Sequence, residues 1–190
     1  MLTRLEAINQ MLTAVGEQVI LIEVEGAGDY ANASAILDAE TKKVLAKGWH
    51  FNTDEGVALN PDASGRVLVA PNVLRLDVLD PSLDVAQRGG YLYNRAKQTD
   101  VFTAPVKVDR VIAMPFEACP YHAQREIVGR ACQAYQRSYV GSDALDKYAA
   151  EERYEATADS RDAEVDEDDF NMLDNPDLAY LRRRTYYRGV

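Results

Sequence analysis

The stretch Gly48-Trp49-His50-Phe51-Asn52-Thr53-Asp54-Glu55-Gly56, "GWHFNTDEG", carries the only tryptophan of a 190-residue chain and one of its two histidines. It marks the point where the periodicity of the sequence changes. Upstream, apolar residues recur every three or four positions, the spacing of one helix face. Downstream they alternate with polar residues, as in a strand that buries one side. Two readings of the stretch compete. Trp49 beside His50, Asp54 and Glu55 can bind a sugar, hold a metal or do acid–base work. The same residues can be a packed corner where a helix hands over to a strand.

Working back from Gly48, residues 29–46 read as a helix. Asp29 can cap its start, Ala33, Ile36, Leu37 and Val44 form its apolar stripe, and Lys42, Lys43 and Lys47 suit the negative end of its dipole. Before it, Thr3-Arg4-Leu5-Glu6 matches a capping box. Leu5, Ile8, Leu12 and Val15 then share one helix face, and Gly16 closes that helix.

Working forward, strand spacing is expected from Trp49 to about Met114. Leu74, Leu76 and Val78 alternate with Arg75 and Asp77, and residues 106–114, "VKVDRVIAM", form another β-rich run. Gly89-Gly90, between "LDVAQR" and "YLYNRA", predicts a tight hairpin turn, because glycine tolerates the positive φ such turns require. Five of the seven prolines lie between Pro61 and Pro115, which fits short strands and turns. After Met114-Pro115 the helical period returns. Tyr121, Val128, Cys132, Tyr135 and Tyr139 are predicted on one face of a long helix. Gly141-Ser142 breaks it, and a weakly amphipathic helix through Leu145, Tyr148, Ala149 and Ala156 runs to about Ser160. Residues 162–190 show no sustained period. The expected class is therefore α+β: helices over 1–48 and 115–161, a small β insert over 49–114, and an extended C-terminal arm over 162–190. Trp49 and Phe51, two apart on one strand face, are expected to pack onto the helices.

At 47% hydrophobic and 27% charged, the composition is that of a globular chain. No apolar run approaches the roughly 18–20 residues that cross a bilayer, and "MLTRLEAINQML" lacks the zones of a signal peptide. Synthesis in the cytoplasm without membrane insertion is the expectation. The net charge of −10 is unevenly spread. Residues 143–177 carry 14 acids and 3 bases, whereas 178–190 carry four arginines and no acid. An acid block followed by a basic, tyrosine-bearing tail predicts an interaction arm, and the acidic body repels free nucleic acid.

The motifs for chemistry are weak. Glycosidases hold two carboxyls about 5–10 Å apart across a sugar, whereas strand neighbours such as Asp54 and Glu55 point to opposite faces. Asp162–Asp169 begins like a calcium loop, but Glu167 and Leu173 stand where that loop needs glycine and glutamate. Cys119-Pro120-Tyr121-His122 lacks the further ligands of a zinc site, and two thiols make no disulfide framework. No phosphate-binding glycine loop and no nucleophile elbow is present. Neither cofactor nor catalytic residue is expected.

Three stretches carry more. "KGWHFNTDEGVALNPD" (47–62), "QRGGYLYNRAKQTDVF" (87–102) and "NMLD" (171–174), with the opening helix and "AGDYANASAIL", closely resemble the tail tubular A proteins of T7-like short-tailed bacteriophages. The resemblance spans roughly residues 5–175. It implies a structural virion protein with no enzymatic activity, forming a twelve-subunit ring between the portal protein and the tail nozzle (tail tubular protein B). Such a ring extends the DNA channel without binding DNA specifically, and tail fibres attach at its junction with the nozzle. It also implies an antiparallel helical bundle (1–48 and 115–161) with an inserted β domain (49–114), Trp49 and Phe51 wedging the subdomain joint, and localisation in the virion tail after assembly in the host cytoplasm. Arg182, Arg183, Arg184, Tyr186 and Tyr187 are then candidate subunit or portal contacts, since guanidinium forks onto carboxylates and tyrosine is favoured at interfaces. The alternative is a carbohydrate-binding or polysaccharide-hydrolysing tail protein acting through Trp49, Asp54 and Glu55; an exposed Trp49 favours it and a buried one opposes it.

Overall fold

The computed structural model describes residues 1–22, 28–139 and 143–167. Helix α1 (Arg4–Ala14) opens on a capping box: the Thr3 hydroxyl accepts the Glu6 N–H, and the Glu6 carboxylate accepts the Thr3 N–H. Helix α2 (Gly28–Leu45) begins one residue before Asp29, so Asp29 lies in its first turn instead of capping it. There it accepts a hydrogen bond from the Tyr139 hydroxyl. Five strands follow: β1 (Thr53–Leu59), β2 (Val73–Val78), β3 (Val85–Arg88), β4 (Tyr91–Asn94) and β5 (Val106–Ile112). Helices α3 (Tyr121–Tyr139) and α4 (Asp143–Glu167) complete the described chain. The fold is mixed α+β.

Helix α3 packs against each of the other three helices. This changes its predicted stripe. Ala123, Ile127, Val128, Ala131 and Tyr135 are buried, Tyr121 is 55% exposed and Tyr139 is 44% exposed. A helix covered on several sides buries more than one stripe, and the small residues Ala123 and Ala131 admit neighbours that a tyrosine would hold off. The core formed with Ile8, Met11, Leu12, Leu37 and Val44 is continuous through Trp49 and Phe116.

The strands form two antiparallel layers. Strand β5 lies between β1 and β2, and β3 pairs with β4. The second layer is widened by the extended stretch around Leu68, which bridges to Tyr91. Val67, Val69, Leu92, Phe102, Val106 and Val108 are sealed between the layers in a core of their own. Strands β3 and β4 are joined by Gly89 and Gly90 at φ +57° and +83°, and every other residue would be strained there.

Two boundaries differ from the sequence reading. Residues 50–52 form one turn of 3-10 helix, and the strand begins only at Thr53. Helix α4 continues to Glu167, past the arm boundary expected at 162. No glycine or proline falls between Gly141 and Pro176, so once α4 is nucleated on α3 it propagates through polar residues that show no apolar period.

Candidate functional site

The joint between the helices and the sheets begins at Gly48, which ends α2 at φ +79°. A Cβ at Gly48 would stand 2.7 Å from Arg75 Nη2 and 2.9 Å from Val111 Cγ2. The sheet therefore packs directly on the exit of α2. Trp49 follows, only 6% exposed. Its indole Nε1–H donates to the Val44 carbonyl at 2.8 Å, turning the ring back onto the helix it leaves. Phe51 stacks on it with ring centroids 6.3 Å apart and meets His122 of α3 edge-on at 6.0 Å. Trp49 and Phe51 thus share a contact surface, but through a 3-10 turn and not through a common strand face.

Asn52 is the residue that sequence reasoning passed over. It is 1% exposed. Its Nδ2 donates to Leu45 O at 2.9 Å and to Ile112 O at 2.9 Å, while its Oδ1 accepts the Trp49 N–H at 2.8 Å. One amide thus ties the end of α2, the turn and the end of β5. Only its position inside a tight aromatic turn hinted at this, because asparagine is equally common in exposed turns.

Charge closes the joint. Glu126 of α3 is fully buried, and its Oε1 accepts from Lys47 Nζ at 2.6 Å and Arg130 Nε at 2.9 Å. Lys47 Nζ also lies 5.2 Å from the centre of the Trp49 ring. The His50 N–H donates to Glu164 of α4, so the acid run after Ser160 reaches the turn.

The carboxylates of the opening stretch sit on a strand, as the sequence reading of Asp54 and Glu55 as strand neighbours expects, and Gly56 follows them there. All three lie in β1, at a bulge between Asp54 and Val57. Gly56 adopts φ +65° and donates its N–H to Asp109 Oδ1 at 2.8 Å. Asp54 accepts from Arg110 Nε at 3.0 Å, and Glu55 is exposed. Among the described residues no cluster of His, Cys, Asp and Glu is arranged to hold a metal. Burial, reinforced by Glu117, pushes the Cys119 thiol up to about 11. Burial, reinforced by Glu152, pushes Cys132 up to about 12. Neither is a nucleophile at neutral pH.

A second feature lies on the helices: an open groove of about 700 Å³ between α1, α3 and α4. Val128, Gly129, Cys132, Ala149 and Ala156 line its floor, and Glu6 and Glu152 stand on opposite walls. Arg182, Arg183, Arg184, Tyr186 and Tyr187 lie outside the described residues, as do all others after Glu167. Gly89 and Gly90 belong to the β3–β4 hairpin, a different sheet from the one seated on the joint.

The joint thus uses its aromatic surface for internal packing and is not an open aromatic platform. Residues 5–170 match the family described as tail tubular protein, across both the helices and the sheets. The chain is also 30% identical over 155 residues to Tail tubular protein A of Klebsiella phage KP34, covering 80% of this chain and 82% of that protein. The chain belongs to the tail tubular protein family and is a structural component of a bacteriophage tail.

Proposed function

We propose that this protein is the adaptor of a short phage tail: a twelve-subunit ring, without enzymatic activity, that joins the portal protein to the tail nozzle protein and extends the channel through which DNA leaves. The observation that carries the reading is the family match, which runs unbroken through helices, joint and sheets. In the ring, the helices of 1–48 and 115–167 form a bundle that is one body of the subunit, and the β domain of 49–114 is the other. The joint at Trp49, Phe51 and Asn52 holds the two at a fixed angle. A ring needs that rigidity, because an angular error in one subunit is repeated at every interface.

Electrostatics supports a conduit. Neutralised phosphates release counterions and add affinity, which would stall sliding DNA, and a chain at −10 disfavours this. Tail fibres attach at the ring's junction with the nozzle. Assembly takes place in the host cytoplasm before release. The C-terminal arm, through Arg182, Arg183, Arg184, Tyr186 and Tyr187, contacts the neighbouring subunit or the portal.

The reading is tested by imaging purified tails. A twelvefold ring of this chain between portal and nozzle is the expected result, and another symmetry or position refutes it. The glycan-active alternative has little support, since Trp49 is buried and Asp54 is engaged by Arg110. Particles carrying Asp54→Asn and Glu55→Gln should degrade host polysaccharide no differently from the parent. A parent activity lost in either variant would overturn the non-enzymatic reading.

A further inference from the structure

The groove between α1, α3 and α4 has a chemistry of its own. Its floor is apolar, and Gly129 lets α4 lie close: a Cβ there would stand 3.5 Å from Arg153 Cα. One flank of α4 carries Glu151, Glu152, Glu155, Asp159 and Asp162, all exposed. At 100° per residue these five fall along a single edge of the helix, bordered by Lys147 at its start, whereas Arg153 and Arg161 point elsewhere; Glu152 lines the groove itself and the other four continue its rim. Tyr148, 72% exposed, stands at the same edge. Arg125 answers one of these acids, at 2.8 Å from Asp159. Glu6 faces the flank from α1. An apolar floor beside a negative rim fits an extended segment that combines cations with aromatic and aliphatic side chains.

The sequence contains one such segment. Leu181–Val190, "LRRRTYYRGV", holds four arginines, two tyrosines and no acid. We infer that in the assembled ring the groove of each subunit receives residues 181–190 of the adjacent copy, with Arg182, Arg183 and Arg184 against the acidic flank of α4 and Leu181, Tyr186 and Tyr187 over the apolar floor. The inference rests on the ring reading above and names the surface that the arm meets. A closed ring is built from two different, complementary patches on every subunit, and the basic tail and the acidic groove are such a pair. Thirteen residues, 168–180, separate the end of α4 from the segment. Fully extended they span roughly 40 Å, enough to cross to a neighbour. Guanidinium pairs over a desolvated floor hold better than the same pairs in open water, and salt should weaken them.

The test uses full-length chains assembled into tails in infected cells. Glu152→Lys with Glu155→Lys, both at exposed positions, should reduce the copies of this protein per purified tail about tenfold, as expected for reversal of close interface charges. Arg183→Glu with Arg184→Glu should do the same, and the four changes in one chain should restore incorporation. Circular dichroism of each variant checks that the helices are intact. A second arm mixes chains carrying Tyr148→Cys with chains carrying Tyr186→Cys. A disulfide between the two chains is the expected result. In the chain carrying both cysteines, a link found only within one chain means that the tail straps its own groove, and the inference is wrong. It is equally overturned by a link to another tail protein, by no link in tails that incorporate both chains, or by charge variants that assemble like the parent. Failure of the ring reading shows separately, as parent tails without a ring.

Discussion

Truncating Trp49 is the sharpest test of the joint. The indole is nearly sealed between the end of α2 and Phe51. A tryptophan that buries about 150–250 Å² gains about 4–6 kcal/mol at ~25 cal/mol per Å². That is an upper value, because the unfolded chain already hides some of this surface. The lost indole hydrogen bond adds little, roughly 1 kcal/mol, because Val44 O still accepts the Lys47 N–H at 3.2 Å. Trp49→Ala should therefore destabilise the protein by about 3–5 kcal/mol, the usual cost of removing a core aromatic. For a chain of this size each kcal/mol lowers Tm by about 2–4 °C, so calorimetry should show a fall of about 6–20 °C. Trp49→Phe keeps a ring against Phe51 and loses the N–H; it should cost about 1–2 kcal/mol. Because Trp49 is the only tryptophan, its fluorescence reports the same site: blue-shifted in the folded chain and red-shifted on unfolding. An alanine variant that melts with the parent would refute the argument, since a residue whose removal leaves Tm unchanged is not holding two subdomains together.

Asn52→Ala should cost about 2 kcal/mol or more in urea unfolding, because Ile112 O and the Trp49 N–H lose a partner in a dry site, while Leu45 O still accepts the Gly48 N–H at 3.1 Å. A loss under about 1 kcal/mol would mean that water replaces the amide. Replacing Gly89 and Gly90 by valine should lower stability by about 2–4 kcal/mol, since each side chain is forced to positive φ. Far-UV circular dichroism should meanwhile retain the helical signal, and an unchanged Tm would contradict the turn. The Thr3 backbone N–H and hydroxyl hold Glu6 below its ordinary value, and the Ser64 and Ser82 hydroxyls do the same for Asp62 and Asp80. A depressed carboxylate stabilises fully above its unfolded pKa, and the contribution disappears as pH falls through the lower folded value. Tm should therefore fall on acidification below about pH 4, and Thr3→Ala, which removes the hydroxyl but keeps the backbone N–H, should flatten part of the Glu6 share of that slope; an identical slope would exclude the hydroxyl as a contributor.

The mixed α+β class and several element ends were legible in the sequence because they rest on contacts within a few residues. The box at Thr3 and Glu6 closes over three positions, and the alternation at Leu74, Leu76 and Val78 is the pleat of one strand. Three errors share a cause. Tyr121 and Tyr139 follow a helical period, yet α3 turns Ala123 and Ala131 inward, since neighbours on several sides select small residues. Residues 162–167 carry no period, yet α4 keeps them helical. Strand spacing beginning at Trp49 was displaced by a 3-10 turn that three bonds of Asn52 hold in place.

What the sequence determined by itself is local and chemical: where helices start, where strand spacing takes over, how charge divides between an acidic body and a basic end, and which long motifs it shares with a family. These follow from nearest-neighbour geometry and composition, which need no partner. The tertiary structure decided what each side chain faces. It buried Trp49, gave Asp54 to Arg110, sealed Glu126 between Lys47 and Arg130, and turned one flank of α4 into the wall of a groove. Those outcomes depend on pairs such as Lys47 and Glu126, 79 positions apart. No short window contains both members of such a pair, so their meeting is set by packing and not by pattern.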